Sequence, residues 1–383
     1  MPKRPDSRFS IPQPEAFTEP VLDLLGGVAR PRPLTGEEAI KRLAEMEARA
    51  RAGDPESQAE LARRLLTESP DARKNRRALG LLRHAAAAGC ASGLHLLALV
   101  HLRGQGLAQN LEEGVRLLEE AAYRGSRAAQ ADLAHALLEG IGVPADPAKA
   151  LYWLRLAAAQ GDQASALAAA RMLRDGVGRT SAGAPSSIAA RLGSRFSSTN
   201  LAPGRMILPD PEDADSKEAE KYFTKAAKAG VPEAQHELAE LLRRRGVAER
   251  DPAAARRWMR EAAFSGIVDA QFRIGVANWS GAGGAVDQRE AVRWLCRAAE
   301  GGSVKAASML AGFLMTGSGL PHSPARAWTL FLRAAKMGDA SAAATAEMLE
   351  QGLTSEEKRV QREILRIKDP KSFLEALIPR AER

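Results

Sequence analysis

The sequence predicts an all-α protein built as a one-dimensional array of paired helices. Two observations lead to this fold class: glycines recur at a fixed spacing of 36 residues, and small and leucine side chains recur at helical spacing after each of them. The composition agrees, because 45% of the 383 residues are hydrophobic, yet only 4% are aromatic and alanine is abundant. A repeat array can reach this length without one large core, since each unit packs mainly on its neighbours.

The repeat is defined by the pattern Ala-Ala-x-x-Gly. Its successive intervals are 36, 36, 69, 36, 36 and 36 residues, and an eighth glycine, Gly53, lies 36 residues before the first. The long interval equals one period plus an insertion of 33 residues. The seven glycines of the full pattern are Gly89, Gly125, Gly161, Gly230, Gly266, Gly302 and Gly338. We therefore count seven units of 36 residues, the fourth of them interrupted.

Each unit predicts two helices joined by a turn. Helix A follows the glycine and carries small residues and leucine at positions 4, 8, 9 and 12, which share one helical face. A Gly-x-Gly turn follows in five units and is interpreted as a helix end and tight turn, since none of these turns completes a nucleotide-binding loop. Helix B is predicted to start at a capping residue, and the candidates are Asn110, Asp146, Asp215, Asp251, Asp287 and Ser323.

Units such as AQADLAHALLEGIGVPADPAKALYWLRLAAAQG resemble the Sel1-like repeat, a relative of the tetratricopeptide repeat. The period, the GxGV turn, the Asp cap, KA..W and AA..G carry the resemblance, which covers about residues 35–353. It implies a right-handed α-solenoid and a scaffold or adaptor role in protein complexes. The first unit and the unit after Gly230 lack the Gly-x-Gly turn, so their loops are expected to differ.

The flanks and the insertion have other compositions. Residues 1–34 are rich in proline and predict a disordered tail, and residues 35–353 form the solenoid. The insertion, residues 179–214, is interpreted as a flexible loop at the edge of the solenoid; the alternative is a regulatory segment that covers its groove. Residues 354–383 predict helices that cap the open end, with a docking peptide as the alternative.

The sequence gives little sign of catalysis, and we expect no enzyme, cofactor or metal site. Hydrolase, phosphate-loop and paired Cys-x-x-Cys motifs are absent, and the histidines lack the spacing of a helical metal site. A cell-wall-related hydrolase is a remote alternative: some Sel1-like proteins are credited with β-lactam chemistry, but those resemble a cysteine-rich branch. Cys90 and Cys296, several repeats apart, are expected to be reduced thiols. With neither a signal peptide nor a transmembrane segment evident, the expected location is the cytoplasm.

The candidate binding surface is the face of helix A opposite its packing stripe. In related repeats that face lines a concave groove, and here it combines basic with apolar residues. We therefore expect a protein or peptide partner with an acidic part and an apolar part. The net charge of +8 keeps nucleic acid or another polyanion as the alternative ligand. The candidate residues are Arg63, His95, His135, Arg171, Arg174, His236, Arg243, Phe272, Trp279 and Met315.

Overall fold

The computed structural model describes residues 36–68, 72–177, 211–244 and 251–382, and these form helices and connecting turns without a β-strand. The predicted all-α repeat fold is confirmed. The predicted tail and nearly all of the insertion lie outside the described residues, as do the loops of the two units without a Gly-x-Gly turn. The chain divides into two compact units, Met1–Ala219 and Glu220–Arg383.

In the first unit, consecutive helices up to the fourth A helix pack in sequence, so that the second and third A helices each contact the B helix before them and the one after them. The helix α1 precedes the repeats, and the pairs α2–α3, α4–α5 and α6–α7 are followed by α8 and by α9, which contains the boundary between the two units. The helices are α1 Gly36–Arg51, α2 Pro55–Glu68, α3 Ala72–Ala87, α4 Ala91–Arg103, α5 Leu111–Tyr123, α6 Arg127–Glu139, α7 Pro147–Ala159, α8 Gln163–Arg174 and α9 Pro211–Lys228.

The second unit continues the same alternation and ends with two additional helices. Here α10–α11, α12–α13 and α14–α15 are the A–B pairs, α16 is a further A helix, and a short 3₁₀ turn, Arg380–Glu382, follows the last helix. The helices are α10 Pro232–Arg244, α11 Pro252–Phe264, α12 Val268–Ser280, α13 Gln288–Glu300, α14 Val304–Thr316, α15 Pro324–Lys336, α16 Ala340–Gly352, α17 Ser355–Leu365 and α18 Pro370–Leu377.

Five of the six predicted capping residues begin a B helix. Each side-chain oxygen accepts a hydrogen bond from the backbone N–H three residues later, which satisfies a donor that the helix itself leaves unpaired. These residues are Asn110, Asp146, Asp251, Asp287 and Ser323. The sixth prediction, Asp215, is wrong, because α9 begins at Pro211. Proline suits the first helical position, so the helix takes in four residues that we had assigned to the insertion.

Four of the five predicted Gly-x-Gly turns end their helix at a left-handed glycine, whereas in the fifth the C-cap is Asp175 and the left-handed Gly176 follows it. Gly104, Gly140, Gly281 and Gly317 are the C-caps of their helices. The second glycine of a turn also lies close to another backbone: a Cβ on Gly142 would stand 2.5 Å from the carbonyl oxygen of Leu111. This position therefore requires glycine both for its φ of 66° and for lack of space.

The helices after the repeats pack onto the core of the second unit. Phe373 and Leu377 of α18 are buried together with residues of α13, α14 and α15. Thr329 of α15 and Gln361 of α17 are both buried, and the threonine hydroxyl oxygen lies 2.9 Å from the glutamine Oε1. The C-terminal helices thus supply apolar cover and a buried polar contact to the last full repeat.

Both cysteines are buried free thiols. Burial raises the pKa of the Cys90 thiol, so that it stays protonated at neutral pH. In the described ranges, no helix is both long enough and apolar enough to cross a membrane.

Candidate functional site

In the first unit, two of the arginine candidates on the A helices already pair with carboxylates. Arg63 pairs with Glu60 at 2.5 Å, and this hydrogen bond raises the pKa of the guanidinium. The Arg174 Nε lies 2.8 Å from the Oδ1 of its neighbour Asp175. Positive charge that is paired within the chain attracts an anionic partner less than free charge does.

His95 connects two repeats instead of facing a ligand. Its Nε2 lies 2.6 Å from the Oδ2 of Asp132, which belongs to the A helix of the next repeat, and the histidine is buried. The other first-unit candidates differ in exposure, since His135 is exposed and Arg171 half-buried. The candidate face of this unit therefore combines one exposed histidine, one histidine that bridges two repeats and two arginines that pair within their own repeat.

The second unit repeats this use of polar residues between repeats. His236 lies 3.3 Å from the Asp269 carboxylate of the next A helix, and Ser308 donates its hydroxyl to Asp339 at 2.8 Å. Hydrogen bonds from the Ser341 and Ser308 hydroxyls lower the pKa of Asp339 to about 2. The hydroxyl or imidazole six residues after the repeat glycine thus serves the same bridging role in both units.

The sequence analysis missed these bridges because their acceptors have no fixed register. Asp132, Asp269 and Asp339 lie seven, three and one residues after their repeat glycines. The 36-residue period identifies the histidine or serine in each repeat but not the aspartate that it contacts. Only the three-dimensional structure shows which residues form each pair.

A glutamine bridge was also missed, although its signal is periodic. Five residues after the repeat glycine, a glutamine amide donates at 3.2 Å to a carbonyl at the end of the preceding B helix or of α1. This gives a second hydrogen bond to a carbonyl that already accepts one from the backbone N–H of the repeat glycine. The four glutamines are Gln58, Gln130, Gln235 and Gln271.

The carboxylate of Glu240 organises the charges on the candidate face of the second unit. Its side chain is only 12% exposed and pairs with Arg243 at 2.9 Å and with Arg273 at 3.2 Å. The hydrogen bond to Glu240 raises the pKa of Arg243. This candidate arginine is therefore part of a local ion-pair network.

The apolar candidates of the second unit form a partly covered surface. Phe272, Trp279 and Met315 are half-buried and pack against the core of this unit. The Trp279 ring stacks on Phe313 with centroids 4.0 Å apart, and a Cβ on Gly319 would lie 3.0 Å from it. Neighbouring helices thus cover part of each side chain and fix the orientation of the tryptophan.

A comparison with known protein families identifies the type of these repeats. The model described as Sel1 repeat matches six segments, which together make up more than half of the chain: residues 91–126, 127–162, 202–231, 232–264, 268–303 and 304–339. The chain belongs to the Sel1 repeat family. Five of the six segments begin at the first residue of an A helix, two residues after a repeat glycine.

A solved structure of a Sel1 repeat protein shares this fold. A Sel1 repeat protein from Oxalobacter formigenes is 23% identical, with a TM-score of 0.56, and the alignment covers 90% of this chain and 99% of that one. A protective antigen of uropathogenic Escherichia coli strains, described as displaying an SLR fold, is 22% identical, with a TM-score of 0.31 and coverages of 89% and 96%. The comparison with curated proteins finds no match.

Within the described ranges, no group of three or more His, Cys, Asp or Glu residues is placed to hold a metal ion. The His236–Asp269 pair has two of the members of a catalytic triad, but the Nδ1 of His236 contacts the sulfur of Met259 at 3.4 Å. A thioether is not a nucleophile of the triad type, which requires a hydroxyl or thiol at that place. The pair is better described as a link between repeats.

Proposed function

We propose that this Sel1 repeat protein is a non-enzymatic scaffold that holds a protein or peptide partner against the A helices of its second unit. The observation that most supports this proposal is the position of the Trp279 ring. The ring is held by stacking on Phe313, and it lies among half-buried apolar side chains on a face otherwise rich in ion pairs. A tryptophan that is fixed before binding loses little conformational freedom when a partner packs on it.

The paired charges alter the expected partner. Because Arg243 and His236 have carboxylate neighbours within 3.3 Å, the acidic part of the predicted peptide loses much of its attraction to this face. The apolar part keeps its anchor at Phe272, Trp279 and Met315. We therefore expect an apolar side chain of the partner to provide most of the affinity.

The test compares two methionines of α14 that are both half-buried and pack on the same core. Met315 lies on the proposed face, whereas Met309 lies about a third of a turn away around the helix. A lysine at either site can keep its aliphatic stem on the core while its ammonium reaches solvent. Met315→Lys should abolish a partner interaction that Met309→Lys retains.

The measurement is quantitative mass spectrometry of proteins co-purified from the native host with wild type and each variant, followed by titration of the purified partner. Circular dichroism must show that both variants melt within a few degrees of wild type. Equal partner lists for Met315→Lys and wild type would refute this location. A partner that is chemically converted during the titration would refute the non-enzymatic role.

A further inference from the structure

The B helix α13 presents a row of arginines to solvent. Arg289, Arg293 and Arg297 lie four residues apart, are exposed and share one face of the helix. Like charges at this spacing repel one another and weaken the helix. In the described part of the chain, none of the three forms an ion pair with a carboxylate. This unfavourable arrangement lacks a compensating partner within the described molecule.

In three other helices, an arginine pairs with a glutamate of the same helix. A glutamate three residues before the arginine pairs with it at 2.7 Å for Arg116 and Arg359 and at 2.9 Å for Arg243. Glu290 stands three residues before Arg293 and could do the same. The Glu290 carboxylate instead accepts a hydrogen bond from the Trp294 indole N–H at 3.1 Å and faces Arg260 at 3.8 Å. Trp294 therefore takes the carboxylate that Arg293 would otherwise use.

An exposed aromatic ring lies beside this row. Phe264, at the end of α11, is 63% exposed, and its ring meets the edge of Trp294 with centroids 5.0 Å apart. The Arg297 guanidinium lies over the same tryptophan at 4.7 Å. Arginine around an exposed aromatic ring is the composition of binding hot spots. We call Arg289, Arg293, Arg297 and Phe264 the arginine face.

An open pocket of about 500 Å³ lies between α11 and the start of α13, next to the arginine face. Arg256, Arg257 and Arg260 line it. Guanidinium groups are hydrogen-bond donors, so the ligand chemistry that suits this part of the lining is an acceptor such as a carboxylate.

We propose that the arginine face binds an acidic segment of a partner protein, with an apolar side chain of that segment packed on Phe264. This surface is formed by B helices and is separate from the A-helix face of the proposed function. One observation favours a protein over nucleic acid. Glu261, Asp287 and Glu290 also line the pocket, and a protein segment can place neutral side chains beside them, whereas a phosphate backbone carries a charge at every nucleotide.

The charge pattern of α5 supplies the design for a variant of the arginine face. In α5, Glu112 and Glu120 occupy the positions of Arg289 and Arg297, with Arg116 between them. Arg289→Glu together with Arg297→Glu gives α13 the alternating charges of α5, an arrangement that the fold already accepts. The control, Lys305→Glu together with Lys371→Glu, changes the net charge equally at exposed first-turn positions, where a carboxylate suits the helix dipole.

The probe is a fluorescent twelve-residue peptide of glutamates around one central leucine, titrated at low salt into the full-length protein. We expect saturable binding that weakens with salt, at least about tenfold weaker for the Arg289/Arg297 variant and within twofold of wild type for the lysine control. Replacing the central leucine by serine, or Phe264 by alanine, should each weaken binding several-fold.

Absence of peptide binding by wild type would overturn the proposal, as would equal loss in the arginine and lysine variants. Tighter binding of a twelve-nucleotide oligo-uridine that is lost in the same arginine variant would overturn the choice of a protein partner. Met315→Lys should bind the peptide like wild type, which separates this result from failure of the A-helix proposal.

Discussion

The helices α5 in the first unit and α13 in the second occupy the same place in the repeat, yet they differ on their outer faces. Both start at a side-chain cap, Asn110 or Asp287, and both bury a leucine completely, Leu118 or Leu295. Their exposed rows are Glu112–Arg116–Glu120 and Arg289–Arg293–Arg297. The repeat therefore constrains the cap and the core side of the helix and leaves the solvent side free to diverge.

One sequence difference on the side that packs on the core explains why the outer faces of the two helices differ. In α5, Leu117 cannot donate a hydrogen bond, and Glu113 pairs with Arg116 at 2.7 Å. In α13, Trp294 occupies the equivalent position and holds the corresponding glutamate. The hydrogen bond from Trp294 to Glu290 thus changes which charges the surface presents.

The largest expected effect concerns the shared interior. Leu118→Ala and Leu295→Ala should each lower the free energy of unfolding by about 2–5 kcal/mol, because both side chains are fully buried and leave a cavity. Urea unfolding followed by circular dichroism measures the loss, and hydrogen exchange shows which repeats it reaches. Leu→Met at the same positions is the control. A cost below about 1 kcal/mol at either site would show that the two interiors are not equivalent.

A smaller effect should distinguish the turns that pack beside the two helices. Gly142→Ala should cost about 3 kcal/mol, since its φ is positive and its new Cβ would meet the Leu111 carbonyl oxygen at 2.5 Å. Gly319→Ala, also at positive φ, should cost about 1 kcal/mol because its Cβ would meet the edge of the Trp279 side chain at 3.0 Å. Thermal melts of both variants test the order, and equal costs would contradict it.

Exchanging the outer charges should change stability only slightly. Arg289→Glu with Arg297→Glu introduces two attractive i,i+4 pairs and should stabilise the protein by roughly 0.4–1 kcal/mol at low salt. Glu112→Arg with Glu120→Arg should destabilise α5 by a comparable amount. Both shifts should shrink in 1 M salt, and shifts that persist there would rule out a Coulombic origin.

The smallest effect is a pH dependence of α5. A hydrogen bond from Arg116 lowers the pKa of Glu113, so its contribution is present above about pH 4.5 and is lost as the pH falls through its lower folded value. Glu113→Gln should remove roughly 0.3–0.5 kcal/mol at pH 7 and close to nothing at pH 2.5. Glu112→Gln, which removes a carboxylate without an ion pair in the described part of the chain, is the control. A larger effect at pH 2.5 than at pH 7 would reverse the predicted sign.

The fold could be predicted from sequence because its determinants are local and repeated. The glycines, the small-residue stripe and the helix caps depend on neighbours along the chain, so a period of 36 residues reveals them. Asp215 failed as a cap because a proline four residues earlier offered an equally good start. Local sequence signals predict that a helix forms here, but they do not determine at which of two suitable residues it begins.

The candidate site was less predictable because it depends on which side chains meet across repeats. The face of helix A was identified by geometry, but His95 and His236 contact carboxylates whose register varies between repeats. The arginine row of α13 can be recognised in the sequence from its i,i+4 spacing. The sequence does not show that Glu290 accepts a hydrogen bond from Trp294 instead of pairing with Arg293, because both residues lie within its reach on the helix.

The C-terminal helix α18 has a consequence for how the chain is made. Within the repeats, each helix packs on its sequence neighbours, so a unit can fold as soon as the next one has left the ribosome. Phe373 and Leu377 complete a core that also contains Cys296 and Leu330, more than one full repeat earlier in the chain. We therefore expect the last repeats to keep apolar surface exposed during synthesis until α18 has emerged and packed on them.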